Sequence, residues 1–512
     1  MASGPSLLQQ SWALGERRDR SKDLVGTNAA WKLTDWVPDR KGSPLERRGG
    51  WEKKGTWGTG LGNISYINAG IFAPMNGGEF IIAVDEDGAV WRVTPGGATW
   101  NIDASTRNVG LLKQNPIFYF DDIIYPSFNG TQTMSRSNET TTSEYTFQTA
   151  LPAGEKTTYL TQWKNRMIGA VNEKIYFGPP GDPNQAWDVA SVYVQTQPIR
   201  GLWTVRAATL IFYKDRVEIM RGTVPAGYNV TDDDIRFDSL FDDIGLYDAF
   251  SLCAWNDGVC WADLNGVYWT DGAAATDLTD LVGLRERYRE VIDSRLADFN
   301  SGLIRIAAGV YADRLHVTFS KPSTSAYYET FVIDIPDRVA WEYSNLPFAC
   351  YINSNFELFA GGIQASGLVG EISHIYTENN PTDEFTVALA VLPVMESGYY
   401  RFSQGASRIV DVYLGYALEG AASQSLLVQF TTDPHPGTPA NPAFADYNDG
   451  DEYLSAVDLH GATAEGYHYR RIPVRLEGAG LAIKVSQLNS STRTAIHNVS
   501  ISVIPREGWE QV

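Results

Sequence analysis

Seven times between Asp85 and Gly362 the chain repeats one short phrase: a polar turn of Asp, Asn or Gly, then alternating β-branched and aromatic residues, then another Gly or Pro turn. The copies begin at Asp85, Asp121, Asn165, Lys214, Asp257, Asp313 and Phe359, at intervals of 36, 44, 49, 43, 56 and 46 residues. Alternation sends successive side chains to opposite faces of a strand, so each copy predicts part of a hairpin and not a helix. A loose period of about 45 residues is the length of one four-stranded propeller blade. The expected fold is therefore all-β, with a propeller of six or seven blades.

Composition agrees with many short strands. Hydrophobic residues make up 43% of the 512, with 15 Trp, 26 Tyr and 21 Phe, enough for a large core and more than one domain. The dispersed 47 Gly and 24 Pro suit tight turns, and Asp87-Gly88 and Asn265-Gly266 predict two-residue hairpin loops. One helix is expected, from Leu284 to Leu296, where Leu284, Tyr288, Val291, Ile292 and Leu296 recur at helical spacing. No run approaches the roughly 18 apolar residues of a membrane span, and the first residues lack the basic start and apolar stretch of a secretory signal. A soluble chain with no membrane span is expected. Cys253, Cys260 and Cys350 show neither CxxC nor metal-ligand spacing and are expected to be buried thiols in a reduced compartment.

Charge divides the chain. Residues 1–54 carry 11 Lys and Arg against 7 Asp and Glu, a net of +4, whereas the whole chain is −20 and the remainder therefore −24. Such an arm either docks on an acidic neighbour or folds against its own body. Arg17, Arg18, Arg20, Arg47 and Arg48 are its candidate assembly cations, and Trp31, Leu33 and Trp36 its apolar anchors. The segment after Phe359 reads as one strand short of a blade, so an N-terminal strand is expected to close the ring and cover a sheet edge. Near Asn379-Asn-Pro381 the phrase stops, and the strand-like runs that follow suit a β-sandwich. The expected organisation is a basic arm over 1–54, a propeller over 55–380 and a sandwich over 381–512.

Signatures of catalysis are missing from the sequence. It contains no G-x-S-x-G, no P-loop, no H-E-x-x-H and no G-x-G-x-x-G before a helix. Asp121-Asp122, Asp232 to Asp234 and Asp242-Asp243 are acid clusters, but neighbouring acids on a strand face opposite sides and do not converge. Solvated turns explain them, with a calcium site near Asp232 to Asp234 as the alternative. The segment Val84 to Trp91 keeps only Gly88 and Trp91 of the Ser-x-Asp-x-Gly-x-Thr-Trp blade motif of sialidases. No catalytic, cofactor-binding or metal residue is assigned. Two other classes stay open: a propeller glycosidase, and a host-surface carbohydrate binder using Tyr399, Tyr400 and Phe402.

Several ordered phrases resemble those of tailed-bacteriophage propeller proteins. They are Asn28-Ala-Ala-Trp-Lys-Leu-Thr-Asp-Trp36, Pro44-Leu-Glu-Arg-Arg-Gly-Gly50, Lys174-Ile-Tyr-Phe-Gly-Pro-Pro-Gly-Asp-Pro-Asn-Gln-Ala-Trp187, Ile199-Arg-Gly-Leu202, Ala208 to Val217 and Asn265-Gly-Val-Tyr-Trp-Thr-Asp-Gly272. Together they resemble the blades of the nozzle, or distal tail hub, of short-tailed phages and of propeller-type minor tail proteins of long-tailed phages. The resemblance implies a non-enzymatic virion tail protein in a homo-oligomeric ring, with tail or adaptor proteins as partners, DNA passing without sequence preference, and a host-surface glycan as a further partner. The sandwich lies outside the resemblance.

Overall fold

A computed structural model describes residues 6–10, 30–38, 45–53 apart from 49, strand segments within 67–146, most of 155–222, 235–321, 327–362 apart from 345 and 354–356, 372–377, and strand segments within 382–505. Strand dominates. Ile67–Met75, Tyr159–Trp163, Gly201–Val205, Cys253–Trp255, Arg305–Tyr311 and Phe348–Asn353 each open an antiparallel sheet whose next strands follow in chain order. Phe118–Phe120 and Ile123–Tyr125 form a hairpin between the first two of these sheets. Neighbouring sheets abut, and the last opening strand, Phe348–Asn353, lies against the first, Ile67–Met75. The arrangement is propeller-like, with its sheets around a common axis.

Close approach at that axis requires small residues. A Cβ on Gly70 would stand 2.2 Å from the Ile352 side chain, and one on Gly309 would stand 2.5 Å from that of Tyr351. Farther out, strands with neighbours on both faces lose the in-and-out alternation: Arg166–Val171 and Gly258–Ala262 are buried throughout. Outer strands keep exposed positions, as in Ile235–Asp242.

Two local expectations need correction. The hairpin near Asn265-Gly266 pairs Ala262 with Val267, and the Asp263 N–H donates to the Gly266 carbonyl at 3.0 Å, so Leu264 and Asn265 are its central residues. The Asp263 carboxylate accepts from the N–H groups of Asn265 and Gly266 at 2.6 and 2.9 Å, and this side-chain turn replaces the left-handed Asn-Gly pair. Asp87-Gly88 lies outside the described residues. The helical segment is three helices: α1 (Leu278–Leu281), α2 (Arg285–Ser294) and α3 (Leu296–Asn300). Leu284, Tyr288, Val291 and Ile292 are buried as expected, but the chain breaks at Arg295 and leaves Leu296 exposed.

N-terminal residues are woven into distant sheets. Gly50–Lys53 pairs antiparallel with Ile372–Thr377 as the fourth strand after Phe348–Asn353 and Leu358–Gly362. Ala30–Thr34 runs beside Val339–Tyr343 on one side and Val394–Ser397 on the other, joining the sheet opened by Arg305–Tyr311 to C-terminal strands in one nine-stranded sheet. A second C-terminal sheet holds Trp36–Pro38, Leu45–Arg47, Ser6–Gln10, Arg493–Pro505, Ser407–Glu419 and Gly466–Gly478. One apolar cluster contains Leu33, Trp36, Trp341 and Phe359 together with Val412, Phe430, Ile483 and Ile501, so it runs on both sides of residue 380.

The weld between arm and ring is a buried ion pair. Asp35 takes a left-handed φ of 58° between two short strands, which an Asp tolerates better than most side chains. The Asp35 N–H donates to the Glu342 carbonyl at 2.8 Å, and its carboxylate accepts from Arg48 Nε at 2.6 Å, from the Ser344 N–H at 2.9 Å and from the Ser344 hydroxyl. Arg48 Nη2 in turn donates to the Ser344 carbonyl at 2.7 Å, and its guanidinium lies 5.3 Å from the Tyr343 ring centre. Each charge is thus compensated and hydrogen-bonded, the condition under which burial is tolerable.

Candidate functional site

The opening strands surround a cavity of about 960 Å³ on the ring axis, within the usual size range of small-ligand sites. Phe72, Trp203 and Tyr351 bring aromatic surface to its wall, and Leu160, Leu202, Leu252 and Ala308 bring aliphatic surface. Polar groups come from Thr161, Gln162, Thr204 and Asn353. The Thr161 and Thr204 hydroxyls are 3.2 Å apart, and Thr204 is 3.1 Å from Thr209, a chain of hydroxyls linking two neighbouring sheets. Among the described residues the Trp203 indole N–H and the Asn353 amide have no hydrogen-bond partner.

Charge enters the lining at the first hairpin of successive sheets. Lys164, Arg206 and Asp257 each stand in a two-residue loop joining an opening strand to the next, with pairs Trp163 to Arg166, Val205 to Ala208 and Trp255 to Gly258 closing the loops. All three take left-handed φ, of 55°, 53° and 61°, the twist that tight hairpins demand. Equivalent loops of one ring lie on one rim, so two cations and a carboxylate share one mouth of the cavity.

A smaller pocket of about 440 Å³ adjoins at Lys164 and Arg206 and adds Arg221 and Asp271. Arg206 Nη2 lies 3.4 Å from Asp271 Oδ2, and Arg221 Nη2 donates to the Gly272 carbonyl at 3.4 Å. Lys164 Nζ donates to the Gly222 carbonyl and stands 4.8 Å from the Trp163 ring centre, while the Trp163 indole donates to the Ala207 carbonyl at 3.0 Å. The mouth is thereby held in place, and its cations exceed its acids in a chain of net charge −20.

The wall behind the cavity encloses buried charge. Arg305, almost fully buried, stacks on Phe250 at 3.9 Å and donates to the Ala349 carbonyl at 3.3 Å. Burial raises the Asp248 carboxyl, with Arg305 the main opposing influence, and its carboxylate accepts from the Phe250 N–H at 3.1 Å. Cys253 and Cys350 line the cavity as free thiols, and burial pushes Cys350 up to about 11, so it stays protonated at neutral pH.

Glycoside hydrolysis uses two carboxyl groups about 5 to 10 Å apart, and among the described residues the cavity lining carries one carboxylate, Asp257. No group of three metal-ligating side chains occurs among the described residues. Asp121-Asp122, Asp232 to Asp234, Tyr399 and Phe402 lie outside the described residues. Asp242 accepts from the Ser239 hydroxyl at 2.8 Å on an outer strand. Of the three aromatics that could either stack on a sugar or belong to a strand or turn core, Tyr400 belongs to the core: it is buried in the apolar cluster.

The arm residues separate into three groups. Arg17, Arg18 and Arg20 lie outside the described residues. Arg47 ends a strand opposite Trp36, while Trp36 is fully buried and Trp31 half-buried. Arg48 is corrected as a docking cation, because its guanidinium is enclosed and committed to Asp35. Sequence reasoning did not single out Lys164, Arg206, Trp203 or Asp257 as a site. Their signal was present: each charged residue sits one or two places after an opening strand, but the repeats begin on different hairpins and conceal that common position.

Among solved structures, the chain is similar to the WD40 domain of Pan2 from Neurospora crassa at 9% identity, covering 64% of this chain and 96% of that one, with a TM-score of 0.40. It is also similar to the extracellular domain of a hybrid two component system from B. thetaiotaomicron at 12% identity, over 78% of this chain and 57% of that one, with a TM-score of 0.42. An exo-beta-1,3-galactanase from Phanerochaete chrysosporium aligns at 8% identity over 88% and 100% of the two chains, with a TM-score of 0.27. The architecture rests on the strand pairings themselves. No family model and no curated protein matches the chain.

Proposed function

We propose that the chain is a structural protein of a bacteriophage tail: an arm over 1–54, a propeller of six or seven blades over 55–380 and a β-sandwich over 381–512, assembled as a ring at the distal end of the particle. The observation that carries the reading is the ordered set of tail-protein-like phrases from Asn28 to Gly272. Their placement adds support, since Ala30–Thr34, Leu45–Arg47 and Gly50–Lys53 are the strands that tie ring and C-terminal sheets together. A subunit that must transmit force gains from such a tie, because the described strands of its parts are hydrogen-bonded to one another.

Partners on this reading are tail or adaptor proteins and further copies of the same chain. Genome passage would run between subunits and not through the propeller, since a cavity of about 960 Å³ admits a small molecule and not a duplex. A surface of net charge −20 would hold no phosphate and let DNA slide past. Antibody labelling of intact phage particles tests the proposal: signal at the tail's distal end supports it, and absence of the chain from purified particles overturns it.

A further inference from the structure

We propose that the basic mouth of the axial cavity binds a small acidic saccharide, its carboxylate at Lys164 and Arg206 and its sugar ring against Trp203. The proposal stands whether or not the chain belongs to a virion.

Three features of the lining select this ligand class. Lys164 and Arg206, with Arg221 beside them, gather positive charge at one mouth of a strongly acidic chain, where an anionic group is drawn in against the general field. Asp257 sits on the same rim and would repel a bare inorganic anion, but it accepts hydrogen bonds from hydroxyl groups. A ligand carrying an acid group at one end and hydroxyls along its length satisfies both. Trp203 and Phe72 supply the apolar surface that covers the C–H face of a pyranose, while the Trp203 indole, the Asn353 amide and Gln162 supply hydrogen-bonding groups around it. A neutral sugar would make no use of the charge on the two cations, and a purely apolar ligand would strand the polar groups.

The mouth is preorganised for this task. Lys164 and Arg206 are fixed by left-handed hairpin loops on neighbouring sheets and braced by the Gly222 carbonyl and Asp271, so little ordering remains to be done when ligand arrives. Their side chains remain largely exposed, Arg206 at 64%, which leaves their outer hydrogen-bonding directions open to ligand.

Calorimetric titration of the full chain with digalacturonate tests the inference, with its dimethyl ester and inorganic sulfate as comparison probes and low and high salt as conditions. Expected is saturable binding of digalacturonate that weakens with salt, a loss of about tenfold or more for Lys164→Ala combined with Arg206→Ala, and much weaker binding of the ester and of sulfate. Both substituted loops are exposed, so the variant should melt like the wild type; Lys164→Arg with Arg206→Lys, which keep the charge, should retain most of the binding. Equal binding of sulfate and digalacturonate would reduce the mouth to a simple anion site and overturn the saccharide assignment. No binding of digalacturonate, or binding unchanged in the double variant, would overturn the proposal altogether.

Discussion

The sheet opened by Gly201–Val205 and the sheet opened by Arg305–Tyr311 begin alike and end differently. Both run four antiparallel strands outward from the axis. The outer strand of the first, Ile235–Asp242, keeps four of its eight residues exposed, whereas Val339–Tyr343, the fourth strand of the second, has all but one of its five buried. The difference is not intrinsic to the blade. It arises because Ala30–Thr34 and the Asp35–Arg48 pair lie on the second edge, converting an open rim into interior. An outer blade edge is therefore a site of choice: left to water it carries Asp and Arg side chains, and covered it admits Trp341 and Tyr343.

The harshest way to break that contrast is to remove the arm. Deleting residues 1–54 takes away one strand partner of Ile372–Thr377, one neighbour of Val339–Tyr343 and two of Arg493–Pro505. Loss of cooperative unfolding is expected, followed by circular dichroism, while deletion of residues 235 to 242 from the open edge should leave a cooperative though weakened melt. The isolated fragment 381–512 is expected to fold poorly, since Val394–Ser397 and Arg493–Pro505 depend on N-terminal strands.

A point change sharpens the same comparison. Asp35→Asn tolerates the left-handed backbone yet leaves the enclosed Arg48 charge uncompensated, at a cost of about 3 to 5 kcal/mol. Asp238→Asn on the open edge should stay within about 0.5 kcal/mol. Urea unfolding of the two variants measures both, and equal effects would show that the weld is energetically idle.

Acid should act selectively on the covered sheet. His316 is fully buried on Arg314–Ser320, its ring 6.1 Å from that of Tyr343 and 6.0 Å from that of Tyr351, and burial, then the Arg314 charge, depress its pKa to about 3. A depressed histidine is neutral in the fold, so the unfolded chain gains protons first. Its contribution to stability is complete above the ordinary value of 6.5 and declines as pH falls toward about 3. Near pH 5 the wild type should have lost about 2 kcal/mol relative to His316→Gln, compared with their difference at pH 7.5. Asp248, Asp263 and Glu329, all raised by burial, act in the opposite sense but are common to both proteins and cancel in the comparison. A pH-independent difference would count against a buried neutral histidine.

The smallest effect is expected where the edge is half covered. Arg287 of α2 bridges Glu342 at 2.7 Å and Glu329 at 3.1 Å, both partly open to water. Arg287→Ala should cost about 1 kcal/mol or less, and thermal melts at low and high salt should converge.

Blade-like periodicity was legible because a hairpin repeats wherever it lies in a sheet, but the phrases fall on different hairpins. Asn165 and Asp257 stand in first hairpins, whereas Lys214 begins the turn between second and third strands. That scatter hid the position shared by Lys164, Arg206 and Asp257, and with it the cavity mouth. Leu296 was misplaced for a different reason: helical spacing records which face is apolar, not where the backbone turns away. The Asp35–Arg48 pair could not be read at all, since nothing local to either residue announces that Ser344 and Tyr343 will enclose them.

The same pair sets a timetable for synthesis. Asp35 and Ser344 are 309 residues apart, so at about 5 to 20 residues per second the acid emerges from the ribosome on the order of 15 to 60 s before its partner exists. Ser6–Gln10 waits longer still, for Arg493–Pro505. The residues made first are placed last, and a nascent chain interrupted before residue 372 has no strand with which Gly50–Lys53 can pair. Translation must therefore pass residue 377 before the ring can shut, which makes a sealed propeller a sign that synthesis reached at least that strand.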